Sequence, residues 1–91
     1  MQLYLISYDL NAPGKDYKPL VARIRELGGV PCLRSQWVVL RGEGAEVIRD
    51  DLLGYIDRND RLLVCELTTN TAWYNLLPDC GDLNEWYARR F

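Results

Sequence analysis

The 91-residue sequence contains no histidine. That excludes Ser–His and Cys–His nucleophilic catalysis and any imidazole proton shuttle, and it removes the commonest ligand of zinc and copper. Cysteine is sparse: Cys32, Cys65 and Cys80 are odd in number and lack C-x-x-C spacing, so they are read as buried, reduced thiols. Lysine is nearly absent, Lys15 and Lys18 being the only two among 11 cations. A basic excess is missing too: 13 acids leave a net charge of −2 and a pI near 5.0, whereas a domain living on non-specific phosphate contacts usually carries positive charge. No apolar stretch exceeds a few residues, as at Leu62 to Cys65, where a bilayer span needs roughly 20. The opening Met-Gln-Leu-Tyr-Leu-Ile-Ser-Tyr-Asp has neither a basic leader nor a small-residue cleavage site, and the expectation is a cytoplasmic chain with no membrane partner. No glycine-rich phosphate loop and no internal repeat is seen. What chemistry remains must run on carboxylates, tyrosine, arginine or a hard metal ion.

What is present is 48% hydrophobic and 26% charged, the balance of a single domain spanning 1–91. A chain this short hides roughly 60 to 70% of its unfolded surface, so its core is modest and burial against a partner would help it. Nine of the 11 cations are Arg, whose rigid fork suits phosphate and carboxylate; a local anion site competes with simple surface pairing to the acids.

Leu3 to Tyr8 alternates as a strand, and Asp9 closes it. Asn11-Ala12-Pro13-Gly14 is turn chemistry, after which Asp16 suits an N-cap and Pro19 the first helical turn. Leu20, Val21, Ile24 and Leu27 form one apolar helical stripe, stopped by Gly28-Gly29. Val30 to Leu40 is rich in strand formers and reads as one long strand or as two broken near Ser35. Ala45, Ile48, Leu52, Tyr55 and Ile56 mark a second helix, and Asp57-Arg58-Asn59-Asp60 a turn. Arg61 to Leu67 reads as a mostly apolar interior strand. The order β-α-β(β)-α-β predicts an α+β fold, a ferredoxin-like βαββαβ sandwich whose antiparallel sheet carries two helices on one face.

That core ends near residue 69 and leaves one sheet face open. From about 70 to 91 runs an aromatic-rich extension holding Trp73, Tyr74, Trp86, Tyr87 and Phe91, five of the ten aromatics, with a short terminal helix begun by Asp82. So apolar a tail must be buried, over the open face or against a second copy of the chain.

The sharpest candidate is Tyr8-Asp9. A carboxylate on a rigid strand end beside a loop is placed to hold Mg²⁺ with waters completing the shell, and a two-fold axis nearby would add a second Asp9. The competing reading has Asp9 cap the turn through Asn11 or Pro13. In Arg34-Ser35-Gln36-Trp37, Arg34 suits a phosphate and Trp37 a stacked base, although alternation points Trp37 at the core. Asp50-Asp51 and Asp57 with Asp60 read as helix-surface and turn residues. Glu66, inside an apolar strand, needs a partner if buried, for which an Arg is one candidate.

The opening strand ending in Tyr8-Asp9, the helix closed by Gly28, Leu33-Arg34-Ser35-Gln36-Trp37, Tyr55-Ile56-Asp57 and Asp60-Arg61-Leu62-Leu63-Val64 together resemble the second of the CRISPR-associated adaptation proteins and its superfamily. The likeness spans roughly residues 3 to 67, is nearest to the small stand-alone relatives labelled SinR-like, and is more distant to the virulence-associated protein D ribonucleases. The resemblance implies a ferredoxin-like homodimer joined near the ends of the first strands. It implies Asp9 as the metal-binding aspartate, Tyr8 as the aromatic before it, and Ser35 and Trp37 as the Ser-x-Phe segment beside the site. In catalytic members a metal ion activates water and neutralises phosphate for phosphodiester hydrolysis. The expected function is therefore that of a dimeric, Mg²⁺-dependent endonuclease of RNA or DNA, associated with antiviral defence, in which Asp9 binds the metal, Tyr8 and Ser35 shape the site, and Lys15, Arg34 and Trp37 contact nucleic acid. The chain departs from duplex-holding members in being acidic and in carrying Lys15 rather than clustered Arg after Asp9. The alternative is a non-catalytic dimeric scaffold that docks a protein partner through its C-terminal region.

Overall fold

In the computed structural model, which describes residues 1–90, the alternating first segment forms β1 (Gln2–Asp9), with Tyr4, Ile6 and Tyr8 buried on one face and Leu3 on the other. The first helix, α1 (Lys18–Glu26), buries Leu20 and Ile24. Its N-cap position falls on Tyr17, one residue later than expected, while the Asp16 carboxylate accepts the Lys18 N–H at 2.9 Å. The helix stops as the Gly28-Gly29 pair predicts. Gly28 takes φ +97°, its N–H bonds the Arg25 carbonyl at 2.9 Å, and Gly29 N–H reaches back to the Ile24 carbonyl at 2.8 Å. A Cβ on Gly29 would stand 2.8 Å from that carbonyl oxygen, so both glycines are required.

The segment from Val30 is two strands, β2 (Val30–Leu33) and β3 (Gln36–Arg41), broken at Arg34-Ser35. After α2 (Ala45–Leu52) and a 3-10 turn (Leu53–Tyr55) comes β4 (Arg61–Glu66). The four strands form one antiparallel sheet in the order β2-β3-β1-β4. The reading of β4 as an interior strand is corrected: it pairs with β1 alone and lies at the sheet edge, with Leu63 58% exposed. Its apolar run has another cause, since both faces of the sheet are covered and an edge strand is then half-buried on each. Glu66 is exposed at the end of that strand and has no need of a buried partner.

One face of the sheet packs Tyr4, Ile6, Tyr8, Trp37 and Val39 against Leu20, Ile24 and Leu27 of the α1 segment and Ile48 and Leu52 of α2. The opposite face, carrying Leu3, Cys32 and Val38, is covered by the chain's own tail through Cys80, Leu83, Trp86 and Tyr87. The tail helix, α3 (Leu83–Ala88), starts at Asp82, whose carboxylate accepts the Asn84 N–H at 2.9 Å. Trp86 donates its indole N–H to the Cys80 carbonyl at 2.9 Å, so this buried aromatic is satisfied where it sits. Phe91, grouped with the tail aromatics, lies outside the described residues. No helix is long and apolar enough to cross a membrane, among the described residues.

Candidate functional site

Antiparallel pairing brings the C-terminal end of β1, the start of β3 and the start of β4 to one end of the sheet. Asp9 is the last residue of β1, exposed, and stands in register with Arg61 of β4. Ser7, Tyr8, Asp9, Arg61, Leu62 and Leu63 line a shallow groove of about 240 Å³ there. On the other side of β1 the Tyr8 N–H donates to the Ser35 carbonyl at 3.2 Å, which sets the Arg34-Ser35 turn beside the strand end. Asp9, Ser35 and Arg34 therefore lie at this end of the sheet, with Arg34 and Ser35 both exposed.

Two expected site residues turn their side chains into the core. Tyr8 points into the helix-side core, 9% exposed, and its hydroxyl accepts the Trp37 indole N–H at 3.1 Å. It anchors the strand behind Asp9 and does not line the site with its hydroxyl. Trp37 is 4% exposed, so its assignment as a base-stacking residue is corrected: the alternation of β3 turns it inward. Its ring instead carries the Arg25 guanidinium, 5.0 Å from the ring centroid. Lys15 sits in the β1–α1 loop, its ammonium 5.8 Å from the centroid of Tyr17.

The turn-capping role considered for Asp9 belongs to Asp60. Its carboxylate accepts the Asn11 N–H at 2.6 Å, the Asp57 N–H at 2.7 Å and the Tyr17 hydroxyl at 2.7 Å, tying the β1–α1 loop to the turn before β4. Burial pushes the Asp60 carboxyl upward, but those three hydrogen bonds and the Lys15 charge outweigh it and hold the group below its ordinary value. Asp9 is thereby left free of the loop's hydrogen bonding, and among the described residues no hydrogen bond or ion pair reaches its carboxylate. Asp51, by contrast, is structural: it receives Nε and Nη2 of Arg23 at 2.9 and 2.6 Å, bridging α1 to α2. Asp50 pairs with its neighbour Arg49 on the helix surface.

Among the described residues no three His, Cys, Asp or Glu side chains converge. One chain thus offers a cation a single hard, exposed oxygen donor set at Asp9. A lone carboxylate falls short of the three or four protein ligands of a zinc site, whereas Mg²⁺ sites in general use one or two carboxylates with waters and substrate phosphates completing the octahedron.

Sequence reasoning does not place Arg61 or Asp60 at the site. Arg61 opens an apolar strand, and where β4 lies antiparallel beside β1 the start of the one faces the end of the other, which is the signal that finds it. Asp60 carries no comparable signal, because its three donors come from segments that meet only in the folded chain. No family model matches the sequence, and no solved structure matches the chain.

Proposed function

We propose that this chain is a ferredoxin-like protein of the CRISPR-adaptation type, acting as a two-fold dimer that cleaves phosphodiester bonds in nucleic acid. The strand order β2-β3-β1-β4, with α1 and α2 on one face, supports the ferredoxin-like reading and makes residues from about 70 onward an addition to it. The observation that carries the function is Asp9: a carboxylate fixed on a strand end, exposed, and unengaged among the described residues, where Asp60 holds the neighbouring loop. A side chain carried on a rigid strand end is held in a fixed position for ligand contact.

Asp9 from each subunit would hold Mg²⁺, which when bound supplies charge neutralisation at the phosphate and a more acidic water. The remaining roles fall to this chain's own side chains. Arg61, in register with Asp9, and Arg34, on the adjacent turn, present guanidinium forks to phosphate oxygens. Ser35 offers a hydroxyl beside them. Tyr8 and Trp37 keep the strand end rigid through their mutual hydrogen bond.

The test is a cleavage assay on single- and double-stranded RNA and DNA, with Mg²⁺ or Mn²⁺ against EDTA, beside sedimentation of the same samples. Wild type is expected to cut only with metal, and Asp9→Ala to remain dimeric and inactive. Absence of metal-dependent cleavage by wild type, or equal cleavage by both proteins, would overturn the catalytic reading.

A further inference from the structure

The charge of the chain is polarised along its sequence. Residues 1–41 hold six cations and three acids, and residues 42–91 hold five cations and ten acids, so the net acidity conceals a basic part. Within that part Arg23 is paired with Asp51 and Glu26, and Arg41 with Glu43. Lys15, Lys18 and Arg25 have no ion pair among the described residues, although the chain has more acids than bases. These three line one groove of about 560 Å³ along α1, whose floor is made by Tyr17, Val21 and Ala22. Its one acid, Asp16, accepts the Lys18 N–H through one carboxylate oxygen at 2.9 Å.

We propose that this groove binds a single strand of nucleic acid, its phosphates on Lys15, Lys18 and Arg25 and its bases against the apolar floor. The inference rests on the nucleic-acid substrate proposed above and adds where that strand lies. Lys18, Val21, Ala22 and Arg25 share one helix face at spacings of three, four and seven, and seven residues of helix span ~10 Å, room for successive phosphates of one strand. The Arg25 guanidinium rests over Trp37, 5.0 Å from the ring centroid, and among the described residues no hydrogen bond or ion pair engages its N–H donors. A cation fixed without consuming its donors is preorganised for an anion. The apolar floor decides between strand types, because a duplex keeps its base faces stacked inside whereas a single strand has bare base faces to lay on Val21, Ala22 and Tyr17.

The experiment is fluorescence anisotropy of labelled oligothymidine and oligouridine, and of a hairpin duplex, over a salt series in EDTA so that no cleavage intervenes. Wild type is expected to bind a single strand more tightly than the duplex. Lys15→Gln/Lys18→Gln/Arg25→Gln should bind at least tenfold more weakly at low salt, with the log–log salt slope reduced by about 2, at roughly 0.7 for each phosphate that a single strand no longer has neutralised. Ala22→Glu, which keeps all three cations and puts a negative charge on the floor, should weaken binding as well. Arg49→Gln, a surface cation on α2, should not. Unchanged affinity and slope in the triple variant, equal binding of duplex, or no binding by wild type each overturns the groove assignment. Salt-dependent binding that is abolished in the triple variant, in a protein that never cleaves, upholds the groove and removes only the nuclease reading.

Discussion

The Tyr17 hydroxyl donates to the carboxylate of Asp60, 43 residues further along the chain, at 2.7 Å. Together with the Asn11 and Asp57 N–H groups it gives that carboxylate three donors and joins two loops at the Asp9 end of the sheet. Asp60→Ala leaves two backbone N–H groups and a phenol without their acceptor, whereas Asp9→Ala breaks no hydrogen bond or ion pair among the described residues. Thermal melting should therefore drop for Asp60→Ala and stay at or above the wild-type midpoint for Asp9→Ala. Equal drops in the two variants would refute the division of labour between the carboxylates.

The same geometry sets an acid response. The hydrogen bonds and ion pair from Arg23 hold the Asp51 carboxyl below its ordinary value, and Asp60 is likewise depressed, its burial outweighed by the donors around it. A carboxylate whose folded-state pKa is lowered adds stability that is complete above the unfolded pKa, near 4, and disappears as pH falls through the folded value. Urea midpoints should accordingly be flat through neutral pH and decline below about pH 4. Asp51→Asn should weaken the fold at pH 7 and flatten that decline, a pairing that non-specific acid expansion does not produce.

The alternation of Leu3 to Tyr8, the stripe from Leu20 to Leu27, the Gly28-Gly29 stop and the Asp82 helix start are all legible in the sequence, because each rests on interactions within a few residues of itself. The break at Ser35 is not, since strand formers lie on both sides and only pairing with β1 decides it. The edge position of β4 is hidden because the tail covers the second face of the sheet, making an outer strand as apolar as an inner one. At the candidate site Asp9 is legible from its place after a strand. The inward turn of Trp37 is already present in the alternation of β3, and a base-stacking assignment goes against it. Asp60 cannot be found this way, since its meaning lies in three donors that tertiary structure brings to it.

The tail is part of the core. Trp86 is 7% exposed beneath the sheet and hydrogen-bonded to Cys80, and with Leu83 and Tyr87 it shields Leu3 and Val38. Trp86→Ala should cost about 3 to 5 kcal/mol, a large share of the roughly 5 to 15 kcal/mol typical of a domain. Chemical denaturation measures this directly. A loss under about 1 kcal/mol would mean that the sheet face does not depend on the tail.

Burial pushes the Cys32 thiol up to about 11, with the neighbouring Cys80 adding to the shift, and burial raises Cys80 as well. A pKa raised in the folded state gives stability that is complete below the unfolded value, near 8.5 to 9, and is lost as pH rises toward about 11. Both thiols should resist iodoacetamide at pH 8, where half-buried Cys65 reacts first. Mass spectrometry of the native protein should find at most one carbamidomethyl group early, and three after denaturation.

Trp37 separates position from charge. Trp37→Phe keeps an aromatic ring in the core but removes the N–H that the Tyr8 hydroxyl accepts and the larger face on which Arg25 rests. Loss of that buried hydrogen bond should cost about 1 to 2 kcal/mol in denaturant unfolding, which leaves the protein folded at 25 °C. In the anisotropy experiment the cation survives in Trp37→Phe and only its placement is loosened. Affinity for a single strand should fall a few-fold while the salt slope stays at the wild-type value. Arg25→Gln should lower both, because it removes a phosphate partner along with its counterion release. If Trp37→Phe lowered the slope as much as Arg25→Gln, the indole would be governing the charge itself and not holding it in place; if it changed neither slope nor affinity, Arg25 would be positioned by its helix alone and the stacking would be incidental to binding.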